Sequence, residues 1–568
     1  MNQTPDPAGR PAPEPIAIIG MSCLFPKADN LQSFWANIKN GVDAITEVPT
    51  ASHWNPRDFF NADPKAPDQT YCLRGGFISP VQFDPLEFGI APKDLEATDT
   101  TQLLGLVAAK QALLDAGYGG DREFNRDRTS VILGVTGTLE LVIPLGARLG
   151  HPIWRRALQE AGVDAQTSDD VVQRIADSYV GWQENSFPGL LGNVTAGRIS
   201  NRLNLGGTNC VVDAACASSL SAIHLATLEL QAGRSDMVIS GGLDTFNDIF
   251  MYMCFSKTPA LSPTGDAKPF DRDGDGTILG EGIGTVVLKR LSDAERDGDR
   301  IYAVIRGLGS SSDGKGGAVY APVASGQMKA LRRTYELGGV TPDSIEMVEA
   351  HGTGTRVGDA TEVTALTSVY RDAKAEGTWC ALGSVKSQIG HTKAAAGAAG
   401  LIKAALALHH KVLPPTIKVR QPVEPAAPGK SPFYLNTTKR PWLPSATHPR
   451  RAALSAFGFG GSNFHCLLEE VSPTKSAPDW DGDTEVVALS ADTVAELKKA
   501  LNEPLAELSW PALQRRAAKT RAAFCQNSAT EGVGSVAQVS KPAVSPTSKS
   551  AGRAPARTQQ TTPAAAGL

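Results

Sequence analysis

Short apolar runs that end in glycine alternate with longer stretches rich in alanine and leucine along most of the chain. The runs are apolar at consecutive positions, which predicts strands buried on both faces of a sheet. They cover residues 16–20, 129–134, 237–242 and 284–288. The stretches 99–114 and 394–409 have the composition of helices. Strands and helices in this alternation indicate an α/β fold.

The alternation runs from residue 15 to about residue 470, and its flanks differ from it in composition. Residues 1–14 are rich in proline, which predicts a disordered leader. Residues 471–526 are expected to form a linker with one short strand and one amphipathic helix, too little for a domain. Residues 527–568 are mostly Ser, Thr, Pro, Ala, Lys and Gln, which predicts a disordered tail. Such a tail suggests that the chain was cut from, or works beside, a larger assembly.

Composition narrows the class of protein. With 55 basic and 59 acidic residues the net charge is −4, which argues against nucleic acid or an anionic membrane as the main partner. No apolar run reaches the roughly 18 residues of a membrane helix, and the first residues lack the order of a signal peptide. Eight cysteines without a CxxC pair fit a reducing compartment, so we expect a cytoplasmic protein.

Cys216 lies where a strand-like run passes into a helix, with small residues on both sides. The unpaired N–H groups and the dipole of a helix start stabilise a thiolate, lower its pKa and can hold an oxyanion. The position therefore favours a nucleophile. A buried structural cysteine, the usual fate of a free thiol, is the alternative that position alone leaves open.

A cysteine nucleophile needs a base or an electrostatic partner, and two histidines lie at suitable junctions. His351 follows a strand and precedes a turn rich in Gly and Thr, and His391 precedes an alanine-rich helix. Ligands of α/β enzymes bind at such junctions, although both histidines could also be ordinary polar loop residues. Neither the pair His409–His410 nor His224 has a carboxylate at metal-ligand spacing, so we predict no metal site.

Four segments together resemble the ketoacyl synthase domain of fatty acid and polyketide megasynthases, in the order of that family. They are Asp213–Ser219, Glu349–Thr355, Val385–Thr392 and Phe457–Asn463. The resemblance extends over about residues 15–470. Three further segments resemble the first ketosynthase of bacterial polyunsaturated fatty acid synthases. They are Trp182–Gly189, Phe255–Ala260 and Ser431–Asn436.

The resemblance implies a thiolase-like fold with five layers in the order α-β-α-β-α. Two similar halves would build it, at about residues 15–265 and 266–470. The family is usually homodimeric, so a homodimer is expected here as well.

The resemblance also implies a reaction. Cys216 matches the residue that accepts the acyl chain as a thioester, and His351 and His391 match the pair that binds the malonyl thioester and promotes its decarboxylation. A Claisen condensation would then release CO₂ and a 3-ketoacyl chain. The backbone N–H groups of Cys216 and Phe459 would form the oxyanion hole, and Phe459 would gate the acyl pocket.

Five neighbouring residues receive supporting roles from the same resemblance. Lys386 would support the site electrostatically, with a structural ion pair as an equal alternative. Asp359 and Glu362 would orient the loop after His351. Thr353 and Thr355 would contact the phosphopantetheine arm, because its amides need hydroxyl partners.

No covalently bound cofactor is implied, because the substrates are malonyl and acyl thioesters carried on the phosphopantetheine of an acyl carrier protein, in cis or in trans. Acyltransferase, reductase and dehydratase functions would come from other synthase subunits.

Alternatives to a polyunsaturated fatty acid pathway remain. The domain could belong to a polyketide or glycolipid synthase, or act as a malonyl-carrier decarboxylase. A non-elongating scaffold subunit is a third possibility. An intact Cys216 with His351 and His391 argues against the scaffold, and a cysteine at 216 instead of glutamine argues against the chain-length-factor paralogues.

Overall fold

The computed structural model describes residues 13–49, 55–120, 122–137, 139–315, 318–319, 321–471, 484–491, 493–501, 520 and 533–540. The strands are β1 (Ile16–Leu24), β2 (Ile45–Glu47), β3 (Arg74–Gly76), β4 (Thr129–Gly134), β5 (Asn209–Val212), β6 (Met237–Asp244), β7 (Gly282–Arg290), β8 (Ala303–Ser312), β9 (Met347–Glu349), β10 (Cys380–Gly383), β11 (Val412–Leu413), β12 (Phe433–Leu435), β13 (Arg440–Pro441), β14 (Arg451–Gly458), β15 (Ser462–Glu469), β16 (Thr484–Ala491) and β17 (Val533–Ser540).

The α-helices are α1 (Leu31–Asn40), α2 (Pro56–Phe59), α3 (Thr100–Asp115), α4 (Val142–Ala147), α5 (His151–Glu160), α6 (Ala165–Ala176), α7 (Ser186–Leu190), α8 (Gly192–Leu203), α9 (Ser218–Gln231), α10 (Ile249–Lys257), α11 (Leu291–Arg296), α12 (Ala324–Gly338), α13 (Arg356–Ala373), α14 (Lys386–Ile389), α15 (Ala396–His410) and α16 (Val494–Leu501). The helices expected at 99–114 and 394–409 correspond to α3 and α15.

Eleven strands form the main sheet, and their order reveals an internal repeat. In the N-terminal half the order is β1-β7-β6-β4-β5, and in the C-terminal half it is β8-β15-β14-β9-β10, with β12 added at the edge. In both halves the first two pairings are antiparallel and the next two are parallel. The expectation of two similar halves is therefore met by strand order and by strand direction. The expected boundary near residue 265 is wrong, because β7 pairs between β1 and β6 and so places residues 282–290 in the N-terminal half.

The helices complete the layers. Helices α9 and α15 contact strands of both halves and lie between them. Helix α15 is buried from Ala396 to Leu408, and its many alanines permit this because a helix in a central layer has no solvent-facing side. Helices α3 and α8 pack on the outer side of the N-terminal strands, α12 packs on that of the C-terminal strands, and α13 packs on α12.

The C-terminal segment departs from the expectation at one place. Strand β17 lies inside the tail predicted to be disordered, and it pairs antiparallel with β16, with Thr484 opposite Ser540. The composition of the tail could not predict this strand, because its partner β16 lies far earlier in the chain. The rest of the tail, and residues 1–12 of the predicted leader, lie outside the described residues. No helix in the described part of the chain is long and apolar enough to cross a membrane.

Candidate active site

Cys216 lies in a 3₁₀ turn, residues Ala215–Ala217, between β5 and α9. Ala215 has a left-handed backbone, with φ at 49°, and its N–H donates to Asp213 Oδ1 at 2.9 Å. Gly458, at the end of β14, approaches this turn so closely that an added Cβ would lie 2.1 Å from the carbonyl oxygen of Ala214. The C-terminal half thus packs directly on the turn that carries the thiol.

The Cys216 thiol is buried, and burial raises its pKa to about 11. The positive charge of Lys386 and a hydrogen bond from the Phe459 backbone lower this pKa, while the carboxylate of Asp244 raises it. The helix start was expected to lower the pKa below its ordinary value, but desolvation of the thiolate outweighs it. The thiol is therefore protonated at neutral pH.

His351 and His391 lie side by side, with ring centroids 5.5 Å apart and ring planes nearly perpendicular. The Nδ1 atom of each ring accepts a backbone hydrogen bond, from Phe457 at 3.4 Å and from Lys393 at 3.3 Å respectively. Burial holds the pKa of both imidazoles well below the ordinary value, so both are neutral. A neutral ring that accepts at Nδ1 carries its proton on Nε2, so both rings offer an N–H donor.

Two buried carboxyl groups hold the loop that follows His351. Glu362 accepts the N–H groups of His351 and Gly352, both at 2.8 Å, and Asp359 accepts that of Gly354 at 3.2 Å. Burial raises the pKa of both carboxyl groups to about 7. Their hydrogen bonds to backbone donors explain how the loop keeps one shape.

Lys386 is buried, and its charge helps to lower the pKa of both histidines. Burial lowers the pKa of Lys386 itself, while neighbouring carboxylates, Glu349 first among them, raise it. Glu349 also pairs with Lys403 at 2.5 Å and accepts the N–H of Val385 at 2.6 Å. Glu349 begins the segment Glu349–Thr355, which carries part of the family resemblance. Its place in this buried charge network was nevertheless not expected from the sequence.

One cavity of about 320 Å³ joins most of the expected site residues. The expected residues that line this cavity are Cys216, His351, His391, Phe459, Asp359, Glu362, Thr353 and Thr355. Lys386 does not line it. The hydroxyl groups of Thr353 and Thr355 are 2.9 Å apart. The Phe459 ring is half-exposed and stacks on Phe255 at 6.2 Å between centroids.

No group of three or more His, Cys, Asp or Glu residues that could hold a metal ion occurs within the described ranges.

The comparisons with known proteins agree with this geometry. The model of the beta-ketoacyl synthase N-terminal domain matches residues 13–294, and that of the C-terminal domain matches residues 302–420. The chain belongs to the beta-ketoacyl synthase family. Members are transferases that catalyse a Claisen condensation, and the fold of the chain is thiolase-like.

Three relatives of this ketosynthase illustrate the family. A polyunsaturated fatty acid synthase subunit of Thraustochytrium sp. is 42% identical over 86% of this chain and 18% of the relative. Polyketide synthase PksL of Bacillus subtilis is 37% identical over 81% of this chain and 9% of the relative. The solved ketosynthase from module 6 of the B. subtilis bacillaene synthase is 32% identical, with a TM-score of 0.68, covering 91% of this chain and 85% of that chain. The ketosynthase thus spans less than a fifth of the length of the two curated relatives.

Sequence reasoning missed two buried residues next to the candidate site, Asp244 and Lys393, whose charges act on the pKa of the Cys216 thiol. Asp244 ends a fully buried strand and Lys393 follows His391 by two positions, and the two side chains pair at 3.0 Å. A carboxylate directly after an apolar strand was the one available indication, but the partner lies about 150 residues away in the chain.

Proposed function

We propose that this chain catalyses the decarboxylative condensation of an acyl chain bound to Cys216 with a malonyl thioester. One observation carries the proposal. A single cavity contains the thiol of Cys216 and two neutral imidazoles, His351 and His391, whose Nδ1 atoms are occupied and whose protons are on Nε2. Two N–H donors beside a nucleophile suit a reaction that develops negative charge on an oxygen.

The first step loads the acyl chain. The Cys216 sulfur forms a bond to the thioester carbon, the bond to the phosphopantetheine sulfur breaks, and the thiol proton passes to that departing sulfur. The oxygen of the tetrahedral intermediate would be held by the backbone N–H groups of Cys216 and Phe459. In support, the Phe459 backbone already hydrogen-bonds toward Cys216 and lowers the pKa of its thiol.

The second step forms the carbon–carbon bond. The malonyl carboxylate leaves as CO₂, and its electron pair becomes an enolate whose oxygen accepts the Nε2–H groups of His351 and His391. The enolate carbon attacks the Cys216 thioester, the carbon–sulfur bond breaks, and the released thiolate takes a proton from solvent. The two histidines remain neutral donors throughout, in keeping with their lowered pKa values.

Three buried residues support this chemistry without touching the substrate carbon atoms. Lys386 would favour the Cys216 thiolate, because its charge lowers the pKa of the thiol. Asp359 and Glu362 would keep His351 in place, because their carboxyl groups accept hydrogen bonds from backbone N–H groups of the loop that carries it. Of the two roles open for Lys386, electrostatic support is the one we favour.

The substrates are proposed to arrive on an acyl carrier protein. Thr353 and Thr355 line the cavity and would bind the amides of the phosphopantetheine arm. The higher identity to a polyunsaturated fatty acid synthase than to a polyketide synthase, 42% against 37%, favours the fatty acid pathway. Acyltransferase, reductase and dehydratase steps would then be performed by other parts of such a synthase. The described cysteines are all free, which suits a cytoplasmic enzyme.

We also propose a homodimer. Strand β5 is the last strand of the N-terminal half, and among the described residues it pairs on one side only, with β4. Its bonds to β4 involve the carbonyl groups of Thr208 and Val212, so the intervening Asn209 and Val211 direct their backbone groups outward. An unpaired edge of this kind is suited to pairing with a second copy of the chain.

The experiment is intact-protein mass spectrometry on the purified chain. It is mixed with acyl-carrier thioesters of graded length and then with malonyl-carrier. Cys216→Ala is the loss-of-function variant, and Cys210→Ala, on the adjacent strand, is the matched control. We expect an acyl mass gain on the wild type and on Cys210→Ala but not on Cys216→Ala, and its discharge as a 3-ketoacyl product.

Two results would contradict the proposal. Failure of every donor to acylate Cys216 would leave a scaffold role. Release of CO₂ from malonyl-carrier without a 3-ketoacyl product, even after loading, would indicate a decarboxylase.

A further inference from the structure

The two halves of the fold use the same local hydrogen bond at the starts of their central helices. Before α9, the side chain of Asp213 accepts the N–H of the residue two positions on, Ala215. Before α15, Nδ1 of His391 accepts the N–H of the residue two positions on, Lys393. Both donors have a left-handed backbone, with φ at 49° and 47°, and both begin a 3₁₀ turn. Asp213 and His391 are therefore structural equivalents.

The side chain of Lys393 is anchored in the interior. The residue is 3% exposed, its Nζ pairs with Asp244 Oδ1 at 3.0 Å, and the same atom donates to the carbonyl oxygen of Gly280 at 2.9 Å. A left-handed conformation is unfavourable for lysine, because its Cβ crowds the backbone. Contacts with the surrounding structure must hold it there, and the two polar contacts of Nζ are among them.

Asp244 joins the two halves at this point. It ends β6 of the N-terminal half, and its carboxylate also accepts the N–H groups of Ala394 and Phe246, both at 3.2 Å. One carboxylate thus binds the side chain of Lys393 and the backbone of the next residue. These contacts define the position of the 3₁₀ turn relative to His391.

We propose that the Asp244–Lys393 pair is a positioning device for His391, which keeps the Lys393 N–H on Nδ1 and so keeps the proton of the imidazole on Nε2. The inference rests on the proposed function, in which that Nε2–H binds the enolate oxygen. Both residues are positioning residues, since the side chain of Lys393 acts through its own backbone and neither is assigned a contact with the substrate.

The physical argument concerns the tautomer. An imidazole whose Nδ1 accepts a hydrogen bond must protonate Nε2, whereas a ring without that donor can place its proton on either nitrogen. Once the side chain of Lys393 loses its anchor, its backbone can relax to a negative φ and turn its N–H away. His391 would then populate the Nδ1–H tautomer, which presents a lone pair to the cavity.

The test compares four variants of the full chain with the wild type. Lys393→Ala removes the anchor, and Lys393→Gly removes it but tolerates the left-handed backbone. Asp244→Asn keeps the shape of the side chain but removes the negative charge that pairs with Lys393. This variant replaces Lys393→Ala in the test if Lys393→Ala does not fold. Lys289→Met breaks another buried ion pair, with Asp299 at 2.7 Å, and is the matched control.

Two readouts are needed. The first is the ¹⁵N spectrum of histidine-labelled protein, in which the His391 signal is identified by its loss in His391→Asn. The second is CO₂ release from malonyl-carrier, with kcat and KM measured separately. Acyl loading of Cys216 is followed in parallel, because it does not use the His391 donor.

We expect only the Nε2–H tautomer of His391 in the wild type and in Lys289→Met, and a mixture in Lys393→Ala. In Lys393→Ala the kcat for decarboxylation should fall about 10- to 100-fold with little change in KM, as is typical when a supporting contact is lost. Lys393→Gly should lie between Lys393→Ala and the wild type.

An unchanged tautomer and unchanged kcat in both Lys393→Ala and Asp244→Asn would overturn the inference while leaving the ketosynthase function in place. If the wild type neither loads nor decarboxylates but the tautomer still shifts in Lys393→Ala, the positioning role stands and the proposed function fails.

Discussion

Ser219 Oγ accepts a hydrogen bond from the backbone N–H of Ala398 at 2.9 Å, and this bond joins the two central helices across the halves of the molecule. Both residues are fully buried. Ser219 follows Cys216 by three positions, and Ala398 lies in the first turn of the helix that begins after His391. The helix that follows Cys216 and the helix that follows His391 are therefore held together by a side chain that satisfies a helix N–H near the start of the second helix.

Ser219→Ala should destabilise the protein, because it leaves that N–H buried without a partner. We expect a loss of about 1–3 kcal/mol in the free energy of unfolding, measured by urea titration. Ser221→Ala, on the same helix and also buried, is the control. An equal loss of unfolding free energy in the two variants would show that the hydrogen bond between Ser219 and Ala398 adds no stability of its own.

Lys386→Met should raise the pKa of the Cys216 thiol further, because it removes the charge that lowers it. At any pH below the pKa the thiolate fraction then falls, so alkylation by iodoacetamide becomes slower. The rate is measured on the peptide that contains Cys216, by mass spectrometry at several pH values between roughly 7 and 10. All of them lie below the thiol pKa of about 11, so the rate follows the thiolate fraction. Lys289→Met should leave the rate unchanged. An unaltered alkylation rate in Lys386→Met would refute electrostatic support by this lysine.

The two buried histidines of the cavity, His351 and His391, should make stability depend on pH. Their pKa values are lowered in the folded state, so as the pH falls below about 6.5 the unfolded chain binds protons that the folded chain does not. The stability that they contribute is present above that pH and is lost as the pH falls, at up to about 1.4 kcal/mol per pH unit for each histidine.

His391→Asn removes one of these groups, so its unfolding free energy should decline less steeply than that of the wild type between about pH 6.5 and 5. Urea unfolding at several pH values measures both slopes. The difference between the two proteins isolates His391, because Asp359 and Glu362 titrate in both. Parallel slopes would mean that His391 is protonated in the folded state as readily as in the unfolded one.

Val211→Pro should prevent the proposed pairing of β5 with a second copy. The substitution removes an N–H that points away from β4, and proline is tolerated on the free side of an edge strand. Light scattering after size-exclusion chromatography should give the mass of a dimer for the wild type and of a monomer for the variant. Val211→Thr keeps the N–H and the branched side chain, and it should remain dimeric. A variant that stays dimeric would exclude pairing through β5.

The sequence alone determined the local features of this protein. Apolar runs predicted the central strands, and alanine-rich stretches predicted α3 and α15, because strand and helix periodicity depend on neighbouring residues only. Cys216, His351 and His391 were found for a similar reason. Each lies at a junction whose Gly and small neighbours are visible in the chain, and together with the surrounding motifs they identified the family.

Only the tertiary structure decided the pKa values in the candidate site and the contacts that hold its residues in place. The position of Cys216 predicted a lowered thiol pKa, yet burial in the folded protein raises it. The Asp244–Lys393 pair joins residues about 150 positions apart. Strand β17 pairs with β16, which lies far from it in the sequence. Desolvation and long-range pairing depend on which segments pack together. A pattern within one segment carries no information about the segment that will cover it.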